Sequence, residues 1–373
     1  MPALTGRRLR DLTSTRGLFL TAAVLVSSLP VIGPIRDPDF WWHLRAGQLI
    51  MDRRTLLGND PFTYTASSHH WTMHEWLSEV AFAALHSAGG LAAIMTILCL
   101  TTWLGLVCVF LRSRLRGRGY IPLGAGLIMA SIVGLPIWGP RAQMITFAFS
   151  CLLLLMVERH LLRGGRLVWW LVPIFLIWSN LHSGFIIGLG FLVLVIAGEI
   201  LGARLGAEGA APRERMRTLL LVLAASTAVT VINPNGPAIL LYPFSTQGST
   251  AQQTIIQEWH SPNFHQWEVM GFEFMVVSLV TMVVLNRRMA MRDTGLVVVT
   301  GLLAFQSVRH IALFVAAATP AWIDQADMTL RRFGSPGGHR TLPQGGPVPH
   351  GGPVPHGEPA LHGGAAAQGG PAL

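Results

Sequence analysis

Long apolar runs recur along this chain and constrain its fold more than any other feature. They have about 15 to 23 residues each, the length that a helix needs to cross a bilayer core of about 30 Å. Only 12% of the 373 residues are charged, whereas about 25% are in a soluble domain. The chain is therefore predicted to be an all-α polytopic membrane protein with about ten transmembrane helices. The candidate spans are 17–35, 89–111, 121–138, 143–157, 167–182, 184–203, 218–233, 269–285, 294–308 and 310–323.

Arginine is distributed unevenly among the segments that join these spans. All 27 basic residues are Arg, and if both termini are cytoplasmic, 21 of them lie on the inner side. The other six are Arg36, Arg45, Arg53, Arg54, Arg141 and Arg309. This positive-inside bias predicts a multi-pass plasma-membrane protein with residues 1–16 in the cytoplasm and two long outer loops, 36–88 and 234–268. Short Arg clusters between apolar runs explain the net charge of +9, so no nucleic-acid partner is expected.

The first outer loop is predicted to contain two short helices. In segment 39–52, Phe40, Leu44 and Met51 recur at helical spacing, opposite His43 and Arg45. That pattern favours a helix lying in the membrane interface. A second helix, 76–88, is predicted to lead into the next span.

The end of the chain differs in composition from the rest. A transmembrane domain is predicted for residues 17–325, whereas residues 333–373 are rich in Pro, Gly and His, with His350, His356 and His362 in register. A Pro/Gly-rich segment cannot bury a core and is predicted to be disordered. Expansion of a simple repeat explains these histidines better than a metal site does.

An acidic pair, Asp37 and Asp39, follows the first predicted span. An Asp-Pro-Asp turn can aim both carboxylates at one point, where they would suit Mg²⁺ or Mn²⁺, or where one would act as a general base. The alternative is a capping turn in which Asp39 is the N-cap of the interfacial helix. The spacing alone leaves both interpretations open.

Three histidines of the same loop, His69, His70 and His74, raise a zinc hypothesis. The zinc hydrolases that carry His-Glu-x-x-His have Glu directly after the first His, whereas the order here is His-Trp-Thr-Met-His-Glu. Polar contacts that order the loop are the favoured interpretation.

Arg141 and the pair Arg309–His310 stand at predicted outer boundaries of spans. An Arg there either anchors its helix by snorkelling or binds a lipid phosphate through bidentate hydrogen bonds, and both remain open. Asn180 and His182 interrupt an apolar stretch, where polar groups need partners. They and the segment 258–262 are interpreted as structural, although Asn180 and His182 could line the same cavity as the acidic loop.

Several motifs together resemble those of one enzyme superfamily. They are the acidic pair, the helix Phe-Trp-Trp-His-Leu-Arg-Ala-Gly from residue 40, the segments 60–65 and 71–77, Pro-Arg-Ala-Gln from 140, Asn-Leu-His-Ser-Gly-Phe from 180, Ile-Asn-Pro-Asn-Gly from 232 and Arg309–His310. The chain resembles the GT-C polytopic membrane glycosyltransferases over about residues 17–325. The likeness is greatest to the bacterial branch related to protein mannosyltransferases and aminoarabinose transferases.

The resemblance implies a chemistry for the first loop. The donor would be a sugar linked to polyprenyl phosphate, a lipid of the membrane. Asp37 or Asp39 would activate an extracytoplasmic acceptor, and the transfer would invert the anomeric configuration of the sugar. Some branches need a divalent metal and others do not, so Mg²⁺ or Mn²⁺ at Asp37 and Asp39 stays open. The residues expected to bind substrate are His43, Glu75, Arg141, Asn180, His182, Arg309 and His310. A partner protein of envelope assembly would supply any missing acceptor-binding part.

Two other classes of function compete with a glycosyltransferase. In a transporter or flippase for a lipid-linked sugar, Asn180, His182 and Glu199 would line a pathway, although the chain has no convincing internal repeat of the kind that such proteins carry. In a structural subunit of an envelope-glycan complex, the first loop would be an interface.

Overall fold

The computed structural model describes residues 14–32, 35, 37–206 and 211–333. Across these residues the chain forms α-helices and short 3₁₀ turns, with no β-strand. The predicted all-α fold class is therefore confirmed for this part of the chain. The His-rich repeat after residue 333 and residues 1–13 of the predicted cytoplasmic N-terminus lie outside the described residues.

Thirteen α-helices follow one another in the described ranges, and each candidate span overlaps one of them. They are α1 Thr15–Ile32, α2 Asp39–Arg53, α3 Trp76–Leu115, α4 Tyr120–Val133, α5 Gln143–Arg163, α6 Leu171–Leu181, α7 Phe185–Arg204, α8 Arg213–Thr230, α9 Tyr242–Gln247, α10 Thr250–Ile255, α11 Met270–Asn286, α12 Met291–Gln306 and α13 Ile311–Phe333. Short 3₁₀ turns precede α6, α9, α11 and α13. The two predicted outer loops hold α2 and, in the second, α9 and α10.

Three of the described helices, α3, α5 and α7, are long and apolar enough to cross a membrane. Four apolar segments are shorter, at 10–17 residues: Gly17–Leu29, Tyr120–Val133, Leu167–Leu181 and Met270–Asn286. The structure thus has fewer helices of full spanning length than the ten predicted. One cause is that apolar runs extend past helix ends: α4 stops at Val133 because Pro136, which has no N–H to donate, follows soon after.

Helix α2 packs directly on the start of α3. A Cβ atom at Gly47 would lie 1.9 Å from the Glu79 carbonyl oxygen, so glycine is required for this close approach. Further along, α3 bends at Gly89 and Gly90, and Gly90 has a φ of 64°, a left-handed conformation that favours glycine. The predicted short helix 76–88 is therefore the first part of α3, and the bend separates it from the predicted span that follows.

Helix α13 is central, since every residue from Ile311 to Asp327 is buried. Beside its second half lies a group of charged side chains that we call the arginine cluster. It comprises Arg112, Arg116, Arg118, Glu158, Glu199, Arg292, Asp293, Asp324 and Asp327. The cluster joins α3, α5, α7, α12 and α13, and it lies at the last turns of α3 and α5.

The opposite end of the same helices is also polar. Glu75 precedes α3, Arg141 precedes α5 and Arg309 precedes α13. We call this the site end, because the candidate site lies there.

Candidate functional site

A cavity of about 370 Å³ opens at the site end. It is bounded by α2, by the starts of α3, α5 and α13, by the link between α6 and α7, and by the second predicted outer loop. Seven of the nine residues predicted to be catalytic or to bind substrate line it: Asp37, Asp39, His43, Glu75, Arg141, His182 and Arg309. Residues more than 270 positions apart in the sequence (Asp37 and Arg309) thus border one space.

Asp37 is the partly buried member of the acidic pair. Its Oδ2 lies 3.2 Å from Arg141 Nε, and Arg141 also pairs with Glu258. Its Oδ1 accepts a hydrogen bond from the Asp39 backbone N–H at 3.0 Å, while Asp39 Oδ1 accepts from Trp42 Nε1 at 3.1 Å. Helix α2 begins at Asp39. Asp39 is therefore not the N-cap that the alternative interpretation predicts, and the turn closed by the Asp37–Asp39 hydrogen bond precedes the helix instead. Burial raises the pKa of Asp37 above its ordinary value, although Arg141 opposes the change.

The acidic pair is also a candidate for binding a divalent metal, an option that the sequence leaves open. Arg141 already supplies positive charge to Asp37, and an ion would have to displace it. Among the described residues, no group of three or more His, Cys, Asp or Glu side chains has a suitable arrangement for a metal ion. His69 and His70 are exposed, and of the three zinc candidates only His74 lines the cavity. The described lining of the cavity therefore fits Arg141 as the partner of Asp37 better than it fits a metal ion.

Three imidazole rings contact the carboxylate of Glu75. His74 Nε2 and His182 Nε2 each lie 3.4 Å from its Oε1, and His43 Nε2 lies 3.6 Å from its Oε2. His182 Nδ1 accepts the Gly184 N–H at 2.9 Å, so the proton of a neutral His182 is on Nε2 and faces Glu75. The carboxylate is thus held in place from three sides at the floor of the cavity.

His43 is placed between two buried carboxylates. Its Nδ1 lies 3.1 Å from Glu79 Oε1, on the side away from Glu75. Burial by itself lowers the pKa of His43, but Glu75 and Glu79 outweigh it and the pKa is raised. Burial likewise tends to raise the pKa of Glu75, but His182 and His43 outweigh it and the pKa is lowered. Both pKa changes favour the charged forms of this buried pair.

This pair predicts a pH-dependent stability. A raised pKa in the folded state means that protonation of His43 stabilises the fold fully below its unfolded pKa of about 6.5, and that this contribution is lost as the pH rises through the folded value. The unfolding temperature of wild type should exceed that of His43→Gln most below about pH 6.5, and the gap should narrow at higher pH. Thermal unfolding across a pH series measures it, with the exposed His70→Gln as control. A gap that does not change with pH would contradict the charged state of His43.

Arg309 differs from Arg141 in having no carboxylate within ion-pair distance in the described part of the chain. Its guanidinium lies over the Trp259 ring, 4.5 Å from the centroid. Arg309 also borders a second cavity, of about 280 Å³, whose wall includes Phe147, Ile186 and Leu313. The cationic side chain of Arg309 thus lies where a polar cavity meets an apolar one.

Two predicted site residues lie away from the first cavity. Asn180 is buried, where its amide oxygen accepts from Trp76 Nε1 at 2.8 Å and its amide nitrogen donates to the Ile232 carbonyl at 3.0 Å. This agrees with its interpretation as structural. His310 lines the second cavity, with Nδ1 3.2 Å from the Leu303 carbonyl oxygen. The structure therefore separates both residues from the acidic pair.

Sequence reasoning missed two contributors to the cavity. Glu258, in a segment interpreted as structural, pairs with Arg141, and the His74 ring stacks on Tyr242 with centroids 4.5 Å apart. Neither contact has a local signal, because each joins segments more than 100 residues apart. An isolated Glu in a polar-aromatic loop was the only indication.

Comparison with protein-family models, with curated proteins and with solved structures finds no match to the chain. The GT-C resemblance is therefore still a prediction from sequence. The geometry of the two cavities is the independent basis for a function.

Proposed function

We propose that the protein is a membrane glycosyltransferase that moves a sugar from a polyprenyl-phosphate donor to an extracytoplasmic acceptor. One observation carries the proposal. The acidic pair Asp37 and Asp39 lines one polar cavity together with Arg309, which has no carboxylate within ion-pair distance in the described residues, and Arg309 also borders an apolar cavity. A lipid-linked sugar phosphate has the same order of parts, with a polar sugar, an anionic phosphate and an apolar chain.

We further propose that all ten candidate spans are embedded in the plasma membrane, with both termini inside. The three long apolar helices and the charge bias support this. So does the separation of the arginines, because Arg141 and Arg309 lie at the site end and the arginine cluster lies at the other. The site end would then face outward.

Asp37 is the proposed general base, with Asp39 as the alternative. A base works best when its pKa lies near the working pH, and burial moves the pKa of Asp37 in that direction. The carboxylate takes the proton of the acceptor hydroxyl as its oxygen attacks the anomeric carbon. The bond from that carbon to the phosphate oxygen breaks, and polyprenyl phosphate leaves with the electron pair. A single displacement of this kind inverts the anomeric configuration.

Arg309 is the proposed partner of the leaving phosphate. A guanidinium stabilises charge that develops on a phosphate oxygen through bidentate hydrogen bonds. Arg141 is already paired with Asp37 and Glu258, so its proposed task is to hold the base in place. The apolar second cavity would receive the first isoprene units of the donor.

A transporter for the same lipid is the second candidate, and the contacts favour it less. Of the residues proposed for its pathway, Glu199 pairs with Arg292 at 2.6 Å in the arginine cluster, and Asn180 is bound to Trp76 and Ile232. Both are fixed by protein partners and offer no continuous route with His182.

The proposal is tested by following the fate of the donor lipid. Purified protein in proteoliposomes is supplied with a panel of radiolabelled polyprenyl-phosphate sugars and with cell-envelope fractions as acceptors. We expect the label to leave the lipid and free polyprenyl phosphate to accumulate, and we expect Arg309→Gln to lower both by about 10²-fold or more. Arg45→Gln, an exposed arginine of α2 outside the cavity, is the matched control.

Label that crosses the bilayer while still attached to its lipid would identify the transporter instead. No turnover and no movement with any donor would leave only a structural role and would overturn the proposal.

A further inference from the structure

A groove lies at the end of α3 and α5 opposite the candidate site. It has a volume of about 520 Å³ and runs between the last turns of α3 and α5 and the start of α6. Its floor is apolar, with Leu111, Leu155, Met156 and Ile174 among the lining residues. Trp170, which is 64% exposed, borders both this groove and a neighbouring hollow that includes Arg166.

Three arginines, Arg114, Arg159 and Arg163, line the same groove, and all three are exposed. Within the described residues, none of them has a carboxylate within ion-pair distance, although Arg114 lies over the Tyr120 ring. Arginines of the nearby cluster behave differently, since Arg112 and Arg116 are each paired with Glu158 and Asp293. The groove therefore combines an apolar floor with uncompensated positive charge.

The distance between the groove and the candidate site indicates that the groove lies at the other membrane surface. Helix α5 has 21 residues and is therefore about 30 Å long, close to the thickness of a bilayer core. It starts beside Arg141 and ends at Arg163. The exposed Trp169 and Trp170 suit headgroup depth, where Trp is enriched.

We propose that this groove binds an anionic glycerophospholipid of the inner leaflet. The acyl chains would lie along Leu155 and Ile174, and the phosphodiester would bind Arg159 and Arg163. Basic pockets between membrane helices on the cytoplasmic side are suited to such headgroups, and guanidinium groups bind phosphate oxygens in a bidentate manner. The proposal rests on the membrane embedding proposed above and is independent of the catalytic assignment.

The test measures phospholipid affinity by native mass spectrometry of the full chain, delipidated in detergent. We expect phosphatidylglycerol to remain bound and phosphatidylcholine to dissociate. The double variant Arg159→Gln with Arg163→Gln should weaken phosphatidylglycerol binding by about tenfold or more. A matched control, Arg204→Gln with Arg217→Gln, removes the same charge from exposed arginines outside the groove and should change the affinity less than twofold.

Three results would overturn the proposal. Unchanged affinity in the groove variant would show that the groove is not the site, and an equal loss in the control would show diffuse attraction only. Displacement of bound phosphatidylglycerol by an equal concentration of polyprenyl phosphate would assign the groove to the donor lipid. Each result concerns binding alone, so an inactive enzyme would not obscure it.

Discussion

Replacement of Asp37 by Asn is expected to lower sugar transfer by about 10²- to 10⁴-fold, the usual contribution of a general base. The amide keeps the size of the carboxylate, and its oxygen can still accept the hydrogen bond from the Asp39 backbone N–H, so the fold should persist. What it loses is the capacity to take a proton from the acceptor hydroxyl. The measurement is the rate of label transfer in proteoliposomes, with protein accumulation and thermal unfolding recorded in parallel.

Three comparisons test the assignment of Asp37 further. Asp52→Asn alters an exposed carboxylate at the end of α2, outside the cavity, and should transfer normally. In wild type, a base works only when deprotonated, so activity should fall as the pH is lowered through the raised pKa of Asp37. Asp39→Asn is assayed beside Asp37→Asn, and if Asp39→Asn alone loses activity, then Asp39 is the base. Normal transfer by both variants would refute the catalytic assignment.

The largest loss of stability is expected for Arg116→Met in the arginine cluster. Arg116 lies 2.6 Å from Glu158, 2.9 Å from Asp293 and 2.6 Å from Asp324, and its side chain is only 6% exposed. Removing one partner of a buried ion pair costs about 3–5 kcal/mol, because the other charge is left buried and uncompensated. Arg116→Met takes one partner from each of three carboxylates at once, and Asp293 then keeps only Arg112 and Asp324 only Arg118 within ion-pair distance in the described residues. We expect greatly reduced accumulation in membranes and a lower unfolding temperature in detergent.

Arg331→Gln provides the control for this prediction. Arg331 pairs with Asp327 of the same cluster, but its side chain is 68% exposed, and an exposed pair contributes about 1 kcal/mol or less. Equal stability of Arg116→Met and Arg331→Gln would mean that burial of the cluster contributes nothing.

The helical architecture could be predicted from sequence because apolar runs identify helices directly. Each candidate span overlaps a helix, and the two short helices of the first loop were placed within a few residues. Helix lengths were harder to predict. Residues 134–138 are apolar and extend the run beyond α4, but Pro136 ends the helix first. Hydropathy indicates whether a segment lies in lipid or in water, whereas caps and backbone conformation determine where its helix begins and ends.

The candidate site was harder to predict from sequence than the fold. Asp37 and Arg309 lie at the ends of apolar runs, where a charged group needs a partner or a function, and this signal is local. The pairing of Arg141 with both Asp37 and Glu258 is not local, because it depends on how the second loop packs. For the same reason the sequence could not separate Arg141, which is neutralised, from Arg309, which has no carboxylate partner within ion-pair distance.

The shared wall between the two cavities has a consequence for affinity. Arg309, Trp259 and His182 line both cavities, so a molecule that enters both is bound at two linked points. Once one end is bound, the second end meets its cavity at an effective concentration in the millimolar range. A water-soluble sugar phosphate or a bare isoprenoid alcohol would each bind weakly, and a short chimera of the two would bind far more tightly than either. Two-part amphiphiles are therefore the first ligands to test for binding to this protein.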